Sequence, residues 1–191
     1  GSKLEPQPLD ALSMGRMLAG RALENEIVQI IRAMLPGQVC ETGRAQRELH
    51  HTELPFRAHP DGRITSDSGD ALLEVKPASA ATFKRYAERG LPEHYQDQVK
   101  AQMGLAGINT AILVLASREN LGQMQVFEIP FEPVRFALLE ERAARGALHL
   151  AQRTLPEGEP ERGFCATCPM ASTCSALKAQ RSVGESGEIP A

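Results

Sequence analysis

The sequence predicts an α/β protein with a mixed central sheet flanked by helices. Three observations predict it: helix-period patterns near both ends, short apolar runs of strand length between them, and their order of helix, strands, helices, strand, strand, helix. From Ser13 to Leu35, Met17, Gly20, Glu24, Ile27, Ile31 and Met34 recur at spacings of three and four, which puts them on one stripe. Pro36-Gly37 ends that helix. Extended segments follow from Val39 to Thr65, and Ser66 to Asp70 reads as a hairpin-type turn. Ala71 to Lys76 reads as a strand ended by Pro77, which cannot continue a central ladder. Ser79 is placed to cap a helix running to Arg89, with Gly90 as its stop. A helix over Pro92 to Ala106, strands over Thr110 to Ala116 and Gln123 to Ile129, and a helix from Pro133 to Arg153 complete the series.

With 191 residues, 42% of them apolar, the chain is long enough for one domain with a substantial core. The expected organisation is a tag and N-terminal extension over 1–12, a core over 13–154, a cysteine-rich module over 155–181 and a flexible tail over 182–191. Gly1-Ser2 resembles a cloning remnant. No apolar run is long enough to span a bilayer and no signal-peptide pattern opens the chain, so no membrane association and a cytoplasmic location are expected. A net charge of −3 neither indicates nor excludes a nucleic-acid partner, because a basic groove can coexist with an acidic exterior.

The chemistry concentrates between His59 and Lys76. Residues i and i+2 of a strand share a face, so Glu74 and Lys76 project together while Leu73 and Val75 face a core on the other side. Two readings are open: an ordinary ion pair at a strand end, or, with Asp61 upstream, a hard-cation site with a proton-handling group beside it. Glu24 lies on the apolar stripe of the first helix; it either reaches solvent at the stripe's edge or points at the same cation, with Gly20 one turn earlier allowing close approach. In the helix after Pro92, Tyr95, Gln98 and Gln102 form one polar face beside the stripe of Val99, Met103 and Ala106. Exposed Lys84, Arg85 and Arg89 follow the acidic residues in sequence and, with Lys100, are candidate phosphate contacts. Cys165, Cys168 and Cys174 form a C-x2-C-x5-C cluster, which suits zinc or an iron–sulfur centre better than a disulfide framework.

Pro60-Asp61 followed by Glu74-Val75-Lys76 resembles the signature of the PD-(D/E)XK nuclease superfamily. Tyr95-x-x-Gln98-Val99-x-x-Gln102-Met103 is similar to the glutamine-motif helix of phage recombination exonucleases of the lambda-exonuclease type and of related RecB-type nucleases. Gly20-x-x-x-Glu24 resembles their first motif. The resemblance implies a restriction-endonuclease-like core and a divalent-metal-dependent DNA exonuclease of recombination or end processing, in a bacterial or phage-infected cell. It implies that Asp61, Glu74 and the Val75 carbonyl hold Mg²⁺ or Mn²⁺, supported by Glu24. Lys76 would orient or deprotonate water, and Gln98, with Tyr95 and Gln102 nearby, would hold the strand or brace the lysine. Oligomerisation and recombination or repair partner proteins are further expectations. A weakly cleaving DNA-binding or assembly module and a structure-specific endonuclease are the alternatives.

The cysteine spacing is similar to that of iron–sulfur RecB-type nucleases, including CRISPR-associated adaptation nucleases. It implies a 4Fe-4S cluster with Cys40 as fourth ligand, although in that group the first cysteine precedes the first motif helix, whereas Cys40 follows it. Zn²⁺, completed by a histidine such as His149, is the alternative.

Overall fold

The computed structural model describes residues 10–154 except Pro36 and Ser68, together with Pro156, Gly158 and Cys174. In chain order its elements are α1 (Ala11–Met34), β1 (Val39–Cys40), β2 (Leu49–His50), β3 (Arg57–Ala58), β4 (Gly62–Ile64), β5 (Ala71–Ala78), α2 (Ala80–Arg89), α3 (Glu93–Ala106), β6 (Thr110–Ser117), β7 (Met124–Pro130) and α4 (Pro133–Gln152). The chain divides into two compact units, Gly1–Glu141 and Arg142–Ala191, with the boundary inside α4. The first unit holds the whole sheet. Among the described residues, no helix is long and apolar enough to cross a membrane.

The main sheet has the order β1-β4-β5-β6-β7, antiparallel throughout except for the parallel pair β5 and β6. This is the mixed sheet that the pattern predicts. A separate antiparallel ribbon joins β2 and β3, with His50 opposite Arg57.

Strand alternation sorts the core into two layers. Leu73, Val75, Val114 and Ala116 pack with Ile27, Val28 and Ile31 of α1. Leu72, Ala78, Leu113 and Leu115 pack with Val99 and Met103 of α3. Both faces of β5 are therefore covered, and Glu74 and Lys76 belong to the α3 face. The ends of the predicted α1 stripe do not join the core: Met17 is 40% exposed and Met34 70%.

Pro77 does not end β5, which runs on to Ala78 with Pro77 opposite Ala116. The reason lies in strand parity. The Val75 N–H points to the β4 side, where it meets Asp61, and residues two apart point the same way. The Pro77 nitrogen therefore faces the side where β4 has already stopped, and no ladder hydrogen bond is lost.

Gly62 opens β4 because its neighbours leave no room for a side chain. A Cβ there would stand 2.8 Å from Thr42 Cγ2 and 3.2 Å from the Cys40 carbonyl oxygen. At Gly20, by contrast, a Cβ would meet nothing within 4 Å, so the close approach expected at that glycine does not occur.

Candidate active site

β4 pairs with only the first three residues of β5, the last pair being Gly62 with Leu73. Continuing that register by one step puts Asp61 beside Glu74, at the point where the two strands part. Asp61 Oδ2 accepts a hydrogen bond from the Val75 N–H at 2.8 Å, and Asp61 Oδ1 accepts one from Gln46 Nε2 at 3.3 Å. The Val75 carbonyl shares the edge from which its N–H emerges, so it opens toward Asp61 as well.

Glu74 is only 2% exposed. A buried carboxylate needs partners, and this one has three. Its Oε1 accepts from Lys76 Nζ at 2.5 Å and from Gln98 Nε2 at 2.6 Å, and its Oε2 accepts from Gln102 Nε2 at 2.8 Å. Gln98 and Gln102 are one turn apart on α3, so their carboxamides reach the same strand residue from one helix face. The Gln102 carbonyl oxygen is buried without a hydrogen-bond partner.

The charges are unequal. Burial, then the nearby Glu74 carboxylate, pushes the Asp61 carboxyl up to about 7 against the opposing Val75 N–H. Burial also raises Glu24 above the ordinary carboxylate range; Lys76 opposes this and Glu74 adds to it, which places the α1 carboxyl within the field of the same group. For Lys76, burial works to lower the pKa, but attraction to Glu74 and their hydrogen bond prevail and hold it above its usual value. Lys76 is therefore an ammonium here, with its Nζ 5.3 Å from the centre of the Tyr95 ring.

Three carboxyls against one ammonium is a donor set short of positive charge. A buried and a half-buried carboxylate beside a main-chain oxygen fit a hard divalent cation. No group of three or more His, Cys, Asp or Glu side chains suited to a metal is found among the described residues.

Other expected residues are placed differently. Lys100 is 6% exposed and binds Glu132 at 2.7 Å, so it is not available as a surface phosphate contact. Lys84, Arg85 and Arg89 do lie exposed on α2. Lys84 stands 4.0 Å from Glu88, and Arg85 leans on Tyr86. Cys40 is half-buried in β1, opposite Arg63 of β4. Cys165 and Cys168 lie outside the described residues, whereas Cys174 is described as a free, half-buried thiol. His149 is engaged through Nδ1 with Thr154 at 2.8 Å.

Sequence reasoning missed Gln46. It lies 15 residues before Asp61 in a segment without periodicity, and only the folded path brings the two together.

Residues 17–109, just under half of the chain, match the model of the YqaJ-like viral recombinase domain. Among solved structures, the chain is similar to an alkaline exonuclease (LHK-Exo) from Laribacter hongkongensis, at 22% identity and a TM-score of 0.62, covering 77% of this chain and 72% of that one. The same exonuclease in complex with dAMP matches at 22% identity and a TM-score of 0.59, over 76% and 70% of the two chains. The protein solved as SSO0001 matches at 18% identity and a TM-score of 0.55, over 85% and 71%. No curated protein matches.

Proposed function

We propose that the protein is a divalent-metal-dependent deoxyribonuclease, an exonuclease acting on DNA ends in recombination. The observation that carries this reading is the convergence of Asp61, Glu74 and Lys76 where β4 leaves β5, with Glu74 gripped by two glutamines of α3. The match to a viral recombinase domain and the likeness to an exonuclease crystallised with dAMP support it.

Asp61, Glu74 and the Val75 carbonyl would hold Mg²⁺ or Mn²⁺. When bound, such a cation supplies a nucleophile near neutral pH and neutralises charge developing on phosphate oxygens. The chain's own groups set the geometry around it. Gln98 and Gln102 fix the Glu74 carboxylate by donating to both of its oxygens. The Val75 N–H and Gln46 hold Asp61 in place. Lys76, charged and anchored on Glu74, orients water and offsets phosphate charge. It can give up its proton only once the negative field of Glu74 and Asp61 is neutralised.

The Cys165, Cys168 and Cys174 thiolates are poor ligands for hard cations and stand apart from this chemistry. Metal analysis of the purified protein separates the outcomes: iron with broad visible absorption supports a cluster, stoichiometric zinc supports a zinc site, and neither metal removes both.

End-labelled linear duplex with Mg²⁺ or Mn²⁺, beside closed circular DNA, tests the main reading. Loss of label from linear DNA with intact circles is expected. Cutting of circles makes the enzyme an endonuclease, and no metal-dependent cleavage of either substrate removes the hydrolytic reading.

A further inference from the structure

The segment between β1 and β4 carries a second polar cluster that the hydrolytic chemistry leaves unused. Around Oε1 of Glu48 stand Arg57 Nη1 at 3.3 Å, His59 Nε2 at 3.4 Å and His50 Nε2 at 3.5 Å. The donors come from the two paired strands of the ribbon and from the residue after β3, with His50 and Arg57 directly opposite each other. All four side chains are open to solvent; Arg57 is 71% exposed and Glu48 41%.

Exposed ion pairs of this kind contribute little to stability. A carboxylate held this way exchanges readily for another anion. A phosphate oxygen makes the same demands on the donors as a carboxylate oxygen, and an arginine fork suits both. A cation is not the ligand, because Arg57 supplies a fixed positive charge to the cluster.

Position singles this cluster out. Two residues before Glu48, Gln46 touches Asp61, and two residues after His59 comes Asp61 itself. The ribbon therefore flanks the carboxylate at which hydrolysis is placed. From Gly43 to His59 the chain carries three arginines (Arg44, Arg47 and Arg57) and three of its five histidines against two glutamates, although its overall net charge is −3. Arg44 and Arg47 are exposed. Local positive charge on an acidic protein is the electrostatic footprint of a polyanion site.

We infer that Glu48, His50, Arg57 and His59 form a self-occupied phosphate cradle beside Asp61. Glu48 fills it in the free protein, and a backbone phosphate of the DNA strand entering the site displaces the carboxylate. The identity of the ligand rests on the nuclease reading above. The cradle stands with both histidines neutral, since Arg57 remains charged and a neutral imidazole still donates one N–H.

Binding measured without cleavage tests the cradle. Fluorescence anisotropy of a labelled linear duplex in EDTA, over a series of salt concentrations, gives both Kd and the salt slope. Glu48→Gln removes the competing charge and tightens binding roughly two- to fivefold, the scale of one exposed ion pair. Arg57→Gln weakens binding and lowers the salt slope by about one phosphate contact. In the Arg57→Gln background, Glu48→Gln yields a smaller gain than in wild type, because both act on one pocket. A Glu48→Gln protein that binds no tighter than wild type overturns the proposal, as does an Arg57→Gln protein with unchanged Kd and slope. The two readings fail separately. Wild-type protein that cleaves DNA while Glu48→Gln leaves Kd unmoved keeps the hydrolytic reading and loses the cradle. Protein that shows the predicted Kd shifts but cleaves nothing with Mn²⁺ keeps a phosphate cradle and loses the hydrolytic reading.

Discussion

Asp61 and Val75 share the hydrogen bond that would otherwise belong to the sheet: the Asp61 carboxylate takes the Val75 N–H at 2.8 Å where β4 has turned away. The side chain substitutes for a ladder acceptor. Asp61 is thereby fixed against β5 one residue from Glu74, and the strand carbonyl at Val75 is left without a β4 partner. The site is thus a consequence of a short β4 against a long β5.

Lys76 is held as an ammonium by Glu74, so its replacement removes a positioned charge from a buried anionic site. Lys76→Ala is expected to lower the rate by roughly 10²–10⁴, the scale of a positioned proton-transfer or charge-stabilising group. DNA affinity should stay near wild type. Single-turnover cleavage of end-labelled duplex, alongside anisotropy in EDTA, measures the two separately. Cleavage at the wild-type rate would remove Lys76 from the mechanism.

The raised Asp61 carboxyl has a consequence for stability, with a definite sign. Its pKa rises on folding from about 3.8 to about 7, so the native state holds the proton more tightly than the unfolded chain. The associated stability is present below the unfolded value and is lost as pH rises through about 7. Glu24 is shifted in the same direction. Metal-free protein should therefore melt at lower temperature at pH 8 than at pH 5. Asp61→Asn should flatten that dependence, and Mn²⁺ should raise the melting temperature more at pH 8 than at pH 5. A melting temperature that rises from pH 5 to pH 8 in EDTA contradicts the assignment.

Gln98 and Gln102 both donate to Glu74, and in the proposed mechanism they would act through it. Outer-shell partners of metal-binding carboxylates typically contribute a factor of about 10–100 to metal affinity or activity. Gln102→Ala is expected in that range, with a weaker apparent Mn²⁺ affinity as the accompanying sign. Gln102→Glu should do worse than Gln102→Ala, because it sets a like charge beside Glu74. Metal titrations of cleavage rate check both, and an unaltered Mn²⁺ dependence in either variant contradicts the positioning role.

Parity made much of this site legible. Glu74 and Lys76 share a strand face by their spacing of two, Gln98 and Gln102 share a helix face by their spacing of four, and both expectations match the geometry. What parity could not show is which face of a buried strand meets which helix, so the face of Glu74 was legible but its α3 cover was not. Lys100 illustrates a second limit. Its helical position reads as polar surface until Glu132, 32 residues later and just before α4, pairs with the buried lysine. Gln46 and the Glu48 cluster sit in a segment with neither period, where long-range chain path alone sets the neighbours. The strand end at Pro77 was misjudged because proline was weighed against a ladder that β4 does not extend that far.

The glutamines of α3 reach Glu74 only if the helix keeps its place. Three contacts join it to the start of α4. Arg135 donates to both oxygens of buried Asp97, at 2.6 and 2.8 Å, and also to Glu93. Lys100 pairs with Glu132. One turn beyond Lys100 the Phe136 ring rests on bare backbone at Gly104, where a Cβ would clash with ring carbons. Gly104→Ala forces ring and helix apart, and overpacking of this kind costs about 1–3 kcal/mol. Phe136→Leu, in the Gly104→Ala background, should recover part of that loss by vacating the ring's volume. Arg135→Ala should destabilise by roughly 1.5–3 kcal/mol, the scale of hydrogen bonds to a charged group, because it removes two donors from the Asp97 carboxylate. Urea unfolding of the single and double variants measures each. Additive losses in the Gly104→Ala, Phe136→Leu double variant would show that the ring and the glycine are not in contact in solution.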